Sequence, residues 1–260
     1  MRMFPSILLI GLCTLATQTS AEEWRFVTED FPPFSRAAGA PTQTNDGIQQ
    51  AGGPLVEIVQ AVCARLDLNC PIVLHPWQRA LHLAEDGEVE GIFTVVRSPQ
   101  RERAFHITRM LVTSRYAVFA RKDSGFVYSQ PGDLAGRLIG VYGPSGTSYV
   151  LSQLLEPVAG AQVHLTASNR RLLRMLKSGR FGEGGLAVLN QDVAWYLIEE
   201  EQLDELREAG ELTSVSYGIG LSRKRISEAQ FHSFERALDA LIADGTVSEI
   251  LRHHQLEPAY

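Results

Sequence analysis

The chain has 260 residues, 45% hydrophobic and 21% charged, a composition that excludes collagen-like, low-complexity and largely disordered proteins. Its length accommodates one large domain or two of ~120 residues each. Lys and Arg total 24 against 30 Asp and Glu, for a formal net charge of −6 without any long run of like charge. A nucleic-acid partner needs clustered positive charge, and none is present.

In chain order, Met1-Arg2 gives a short positive start, Met3 to Ala16 is almost wholly apolar, and Thr19-Ser20-Ala21 offers small residues before Glu22-Glu23. That pattern predicts a secretory signal peptide over residues 1–21, cut after Ala21. A membrane anchor needs ~20 apolar residues, and this stretch is too short. Leu12 before Cys13 is not the small residue that a lipoprotein signal requires, so a soluble, exported protein is expected. Glu23 to Thr28 alternates like a strand and is broken by Phe31-Pro32-Pro33-Phe34. Pro41 to Gly53 reads as a polar loop or short extended excursion. Pro54 to Leu66 is an amphipathic helix, with Leu55, Ile58, Val59, Val62 and Leu66 on one side, and Pro71 to Leu74 is a strand. Trp77 to Asp86 is a short helix stopped by Gly87, followed by the apolar strand Gly91 to Val96.

Tyr116 to Ala120 and Leu138 to Tyr142 are further strands, the second turning through Gly143-Pro144-Ser145-Gly146 into a helix that ends near Leu155. Val163 to Leu165 is a short strand and Asn169 to Lys177 a basic amphipathic helix. Leu186 to Leu189 is a strand, Asp192 to Glu200 a helix, Val215 to Leu221 a strand, and Ser227 to Asp244 a strong helix ended by Gly245. Strands alternating with helices predict an α/β fold with largely parallel sheets.

Cys63 and Cys70 remain once Cys13 is removed. An even count in an exported chain favours a disulfide, and a helix folding straight back into a strand brings the two positions close. A zinc site is the competing reading, but cysteines seven apart, without Cys-x-x-Cys or an adjacent His, are poor metal spacing. The seven histidines form no His-x-x-x-His or His-Glu-x-x-His pattern, so no metal or cofactor is expected. Gly143 to Ser148 lacks the second glycine of a nucleophile elbow and the Gly-Lys-Ser/Thr of a phosphate loop. What remains is a helix start rich in hydroxyls, open either to plain N-capping or to an anion. Arg97, Arg101 and Arg103 follow the Gly91 strand, and arginine is the preferred fork for a carboxylate.

At several positions the sequence resembles the bacterial extracellular solute-binding proteins of family 3. Phe31-Pro32-Pro33-Phe34 is similar to the aromatic-x-Pro-Phe after that family's first strand, and Gly53 to Ile58 to the glycine before its first long helix. Gly91 to Thr94 with Ser98-Pro99-Gln100-Arg101 resembles its strand followed by Thr-Pro-Glu-Arg. Asp133 to Val141 resembles Asp-Leu-x-Gly-Lys-x-Ile-Gly-Val, and Phe234 to Ile250 its closing helices. The Cys63–Cys70 spacing also matches a disulfide of several members. The resemblance implies a two-lobed periplasmic-binding-protein-like fold of type II. Lobe 1 would comprise residues 22–119 and 218–260 and lobe 2 residues 120–217, joined by crossings near Tyr116–Lys122 and Ser216–Arg223.

By the same resemblance, Arg101 forks the α-carboxylate of an amino acid or related small carboxylate. Thr94, Val96 (through its backbone amide), Thr147 and Ser148 contribute polar contacts. Phe31 and Trp77 wall the ligand, although ordinary core packing also explains aromatic residues there. Where the family places an Asp for the ligand's ammonium, this chain has Asn190, with Asp192 two residues on. The implied protein is a periplasmic monomer that closes on its ligand by hinge motion and delivers it to an inner-membrane ABC permease or a sensor. An enzyme on the same scaffold, resembling cyclohexadienyl dehydratase, is the alternative, with Glu29, Asp30 or Asp192 as acid/base candidates.

Overall fold

The computed structural model describes residues 22–38 and 49–260. The expected signal peptide, and the part of the polar excursion from Pro41 to residue 48, lie outside the described residues. The chain builds β1 (Phe26–Thr28), β2 (Arg36–Ala37), β3 (Gln49–Gly52), α1 (Pro54–Arg65), β4 (Ile72–Leu74), α2 (Trp77–Asp86), β5 (Gly91–Val95), α3 (Pro99–Ala104) and β6 (Phe105–Ile107). There follow β7 (Val112–Arg121), β8 (Leu138–Tyr142), α4 (Gly146–Leu155), β9 (Gln162–Thr166), α5 (Asn169–Lys177), β10 (Leu186–Asn190) and α6 (Gln191–Glu200). The last elements are β11 (Leu206–Ser222), α7 (Glu228–Ala243), α8 (Thr246–His253) and β12 (Glu257–Pro258).

Two groups of strands share one long member. β1 runs parallel to β4 and β5, and β8 runs parallel to β9 and β10, with helices making the crossovers as parallel pairing demands. The full order is β2-β3-β4-β1-β5-β11-β7-β10-β8-β9. β11 pairs with β7 from Leu206 to Tyr217 and then with β5 and β6 from Gly218 to Ser222. β7 mirrors this switch. Its Val112 and Thr113 pair with β12, whereas Tyr116 to Phe119 pair with β10. The division expected after Phe119 therefore falls inside β7, in the stretch held by β10.

The strand expected from Val215 to Leu221 is the end of a much longer one. Its first half, Leu206 to Ser214, is polar and contains Gly210, features that disfavour a strand. Long pairing with β7 overrides that local preference, and register shifts flank Gly210 and Leu212. Gly210 sits at φ +154, and a Cβ there would lie 2.3 Å from the Tyr128 carbonyl oxygen, so only glycine fits.

Beneath the first half, α1 buries Leu55, Val56, Ile58, Val59 and Val62. Each such side chain contributes about 1.5–3 kcal/mol relative to exposure. Phe234 of α7 lies in the same core and stacks on Trp24 at 6.1 Å. Cys63 and Cys70 form the disulfide, with Cα atoms 6.2 Å apart. No helix of the described residues is long and apolar enough to cross a membrane.

Candidate functional site

The two halves face each other across the ends of β1 and β5 on one side and the β8–α4 turn on the other. Between them is a cavity of about 40 Å³. Glu29, Phe31, Trp77, Thr94, Val96 and Arg101 line it from the first half, and Tyr142, Ser145, Gly146 and Thr147 from the second. Tyr116 and Tyr217 come from the crossing strands. A larger space of about 420 Å³ adjoins it and shares Glu29 and Tyr142, a size typical of small-ligand pockets. The halves are close: a Cβ on Gly146 would come within 3.5 Å of Val96 Cγ2, and Gln78 Nε2 donates across the gap to the Pro144 carbonyl at 2.5 Å.

Thr94 reaches the cavity because β5 bulges. Gly218 pairs with Val95 and Ile219 with Phe93, leaving Thr94 as the extra residue, and bulges re-aim side chains in this way. Its φ of +64 is strained for a β-branched residue, a cost of order 1–3 kcal/mol. Its hydroxyl meets that of Thr28 at 3.3 Å.

Of the three arginines after β5, the structure brings Arg101 to the cavity. Its side chain is 17% exposed, and Nη1 donates to Glu85 Oε1 at 2.7 Å. Its guanidinium carbon lies 5.9 Å from the Trp77 ring centre. Burial depresses its pKa, and Glu85 acts against that. Arg97 is committed elsewhere, to Glu102 at 2.6 Å and to the carbonyls of Ile107 and Thr108 at 3.1 and 3.0 Å. Trp77 is buried, yet its indole Nε1–H has no acceptor among the described residues. Phe31 also lines the cavity while stacking on Phe34 at 5.5 Å, so it serves the wall and the core together.

On the opposite side, Ser145 caps α4 by accepting from the Ser148 amide at 3.2 Å, and Ser148 Oγ accepts from the Ser145 amide at 2.8 Å. This reciprocal box occupies the Ser148 hydroxyl, which borders the outer groove and not the cavity. The first-turn amides of Gly146 and Thr147 have no intrahelical acceptor, and the positive end of the helix dipole lies beside them. The Thr147 side chain is hydrogen-bonded to the Tyr116 hydroxyl, which also bonds Tyr217.

Asn190 and Asp192 line neither the cavity nor its larger neighbour. Asn190 is buried, and its amide is fully engaged. Nδ2 donates to Ser114 Oγ at 2.8 Å and to Tyr217 Oη at 3.0 Å, while Oδ1 accepts from the Val193 amide at 3.0 Å as the cap of α6. Asp192 accepts from Ser114 at 2.5 Å. Both residues therefore reach the cavity at second hand, by fixing Tyr217.

Glu29 takes a more direct place. Half-buried at the end of β1, it is hydrogen-bonded to the Tyr142 hydroxyl, and burial, with a smaller push from Asp30, raises its pKa to about 8. Tyr142 also accepts from the Trp77 backbone N–H, and burial drives its own pKa well up. The three tyrosines were missed in the sequence because strand tyrosines read as core; Tyr142, directly before a Gly-Pro turn, carried the one available signal.

A two-sheet α/β architecture with a small polar cavity between its halves is that of the periplasmic-binding-protein-like folds. The family model for bacterial extracellular solute-binding proteins, family 3, matches residues 27–257, and the chain belongs to that family. A histidine kinase sensor domain with similarity to periplasmic binding proteins is 21% identical, over 92% of this chain and 97% of its own, with a TM-score of 0.76. An ancestral arginine-binding protein bound to arginine is 19% identical, covering 89% of this chain and 97% of its own, TM-score 0.74. A substrate-binding protein of an amino-acid ABC transporter from Streptococcus pneumoniae, bound to L-arginine, is 18% identical over 89% and 93%, TM-score 0.72. At these identities the likeness establishes the fold. No curated protein matches the chain.

Proposed function

We propose that this solute-binding protein is exported through its N-terminal segment and captures a small carboxylate, such as an amino acid, between its two halves. It then presents that ligand to an ABC permease or a membrane sensor. The observation that carries the reading is the convergence of donors on one cavity from opposite sides. Arg101 and the unpartnered Trp77 indole come from the first half, and the free amides of α4 from the second. An anion there satisfies the buried Trp77 indole N–H, otherwise without an acceptor at a cost of about 1–3 kcal/mol, and takes the part of the Arg101 fork that Glu85 leaves free. Because the donors are divided, filling the site and bringing the halves together are coupled, as in hinge closure. The hinge lies where β7 and β11 change sheets, between Thr113 and Tyr116 and between Val215 and Gly218.

The test is a thermal-shift screen of amino acids, mono- and dicarboxylates. A ligand at 100 times its Kd adds about 2.7 kcal/mol, and small-angle scattering on any hit should show a smaller radius of gyration. Stabilisation by amines or neutral sugars alone would overturn the reading.

A further inference from the structure

Only the start of the basic helix α5, at Asn169 and Arg170, borders the space between the halves. Farther along, α5 buries Leu172, Leu173 and Leu176 and sets Arg171, Arg174, Met175 and Ser178 on one outward stripe, at i, i+3, i+4 and i+7. Just past its end Gly179, at φ +70, turns the chain back. The Arg180 amide then donates to the Met175 carbonyl at 3.0 Å, and Arg180 joins the stripe. These residues line an open concavity of about 430 Å³ that no acid borders. No run of like charge marks it in the sequence, because the helical period gathers it, but no Asp or Glu occurs between Pro157 and Gly182. Of the cations on this segment, Arg170, Arg174 and Lys177 are held by Glu200, Glu201 and Glu205. Arg171 and Arg180 are exposed and pair with no acid among the described residues.

We propose that this stripe docks the protein on an anionic membrane surface, with its arginines on lipid phosphates. Arginine matches phosphate with a planar fork. The five cations Arg170, Arg171, Arg174, Lys177 and Arg180 fall in the range that recognises acidic headgroups from a helix. The chain's formal charge of −6 does not oppose contact, since at 0.1 M salt charges more than ~10 Å away are largely screened. A protein partner needs an aromatic or aliphatic anchor in a pocket, and Met175 is the one apolar side chain lining this concavity. A single free phosphate needs donors converging from buried positions. Here they project outward, which suits many phosphates spread over a surface, each weakly held. Two unpaired arginines also fall short of a nucleic-acid footprint of about 6–10 phosphates. Because the α5 leucines stay in the core, the contact is electrostatic and involves no insertion. Every residue of the stripe belongs to the second half, so docking holds that half and leaves the first free to move against it.

Co-sedimentation of the mature chain with vesicles tests this. Vesicles of ~30% phosphatidylglycerol in phosphatidylcholine should bind it at ~50 mM NaCl and release it at ~500 mM, where the screening length falls to a few ångströms. Pure phosphatidylcholine should not bind it. The double variant Arg171→Gln/Arg180→Gln should partition about 30-fold more weakly, roughly a factor of five for each arginine. Its thermal unfolding should match the parent's, because neither side chain has a partner to lose. The charge-matched double variant Arg236→Gln/Arg252→Gln, exposed on α7 and α8 of the first half, should partition as the parent does. Failure of the parent to bind acidic vesicles, or equal binding to neutral ones, would sink the proposal. Equal weakening in both double variants would reduce the effect to net charge and remove the stripe as a site. Calorimetry with millimolar inorganic phosphate should show no saturable heat; a heat that disappears in Arg171→Gln/Arg180→Gln would reassign the stripe to a free phosphate and overturn the membrane reading.

Discussion

Replacing Arg101 by alanine separates binding from folding in a way the neighbouring arginines do not. The guanidinium is mostly buried and uses Nη1 on Glu85 at 2.7 Å, which leaves the rest of its fork for a ligand carboxylate. Losing one partner of a desolvated charge pair costs about 2–5 kcal/mol, or roughly 30- to 5,000-fold in Kd. The ion pair with Glu85 also ties Arg101 to folding. Glu85 is 33% exposed, between the surface regime of 0–1 kcal/mol and the buried regime of 3–5, so Arg101→Ala should also cost about 1–2 kcal/mol of stability. Arg101→Lys should recover most of the stability but only part of the affinity, because an ammonium lacks the planar fork. Arg97→Ala should do the reverse. It removes two bonds to the Ile107 and Thr108 carbonyls, costing about 1–2 kcal/mol of stability, with little change in Kd. Calorimetry with the best ligand of the thermal-shift screen, alongside urea denaturation, reads both quantities. An Arg101→Ala affinity within threefold of the parent, or a larger affinity loss in Arg97→Ala, would refute the assignment.

The short loop closed by Cys63 and Cys70 should contribute about 2–3 kcal/mol through the unfolded chain; the double alanine variant should lose that much in urea while keeping ligand affinity. At position 94, glycine should be more stable than alanine by about 1 kcal/mol, since the φ of +64 penalises any Cβ; equal stabilities by thermal unfolding would deny the strain. Glu29 makes the empty protein pH-sensitive. Its folded pKa of about 8 exceeds the usual 4.5, so the folded state holds the extra proton and stability falls as pH rises from about 4.5 to about 8. The shift is worth at most about 5 kcal/mol; Glu29→Gln should flatten this slope in urea melts.

Local patterning located most elements, and in several cases their ends. Trp77–Asp86, Leu138–Tyr142 and Asn169–Lys177 are bounded as periodicity and glycines indicate, because each buries one face and meets a strong stop. The long crossing strands were legible only in part. Leu206 to Ser214 has no alternating apolar face and becomes a strand through pairing with residues some 90 positions away. The cavity followed the same division. Phe31, Trp77, Thr94, Val96, Arg101 and Thr147 sit on sharp local motifs and do meet around one space. Asn190 carries an equally sharp signal as the residue after a strand, but that signal also describes an N-cap, and the cap is what the backbone of α6 takes. Glu29 had no motif. Its place depends on Tyr142, more than a hundred residues on, and on burial that no spacing rule reveals.

Protonation of Glu29 and closure of the halves form one equilibrium. Tyr142 reaches Glu29 and the Trp77 amide only when the second half lies against the first, and that approach is what dries the carboxyl. Closing on an empty site therefore requires Glu29 to keep a proton, at a cost that grows as pH rises from about 4.5 to about 8, or above that pH to bury an unpaired anion. A ligand shifts the balance only by binding the closed form more tightly than the open one. A carboxylate does this by satisfying donors divided between the halves, Arg101 and the Trp77 indole from the first and the α4 amides from the second.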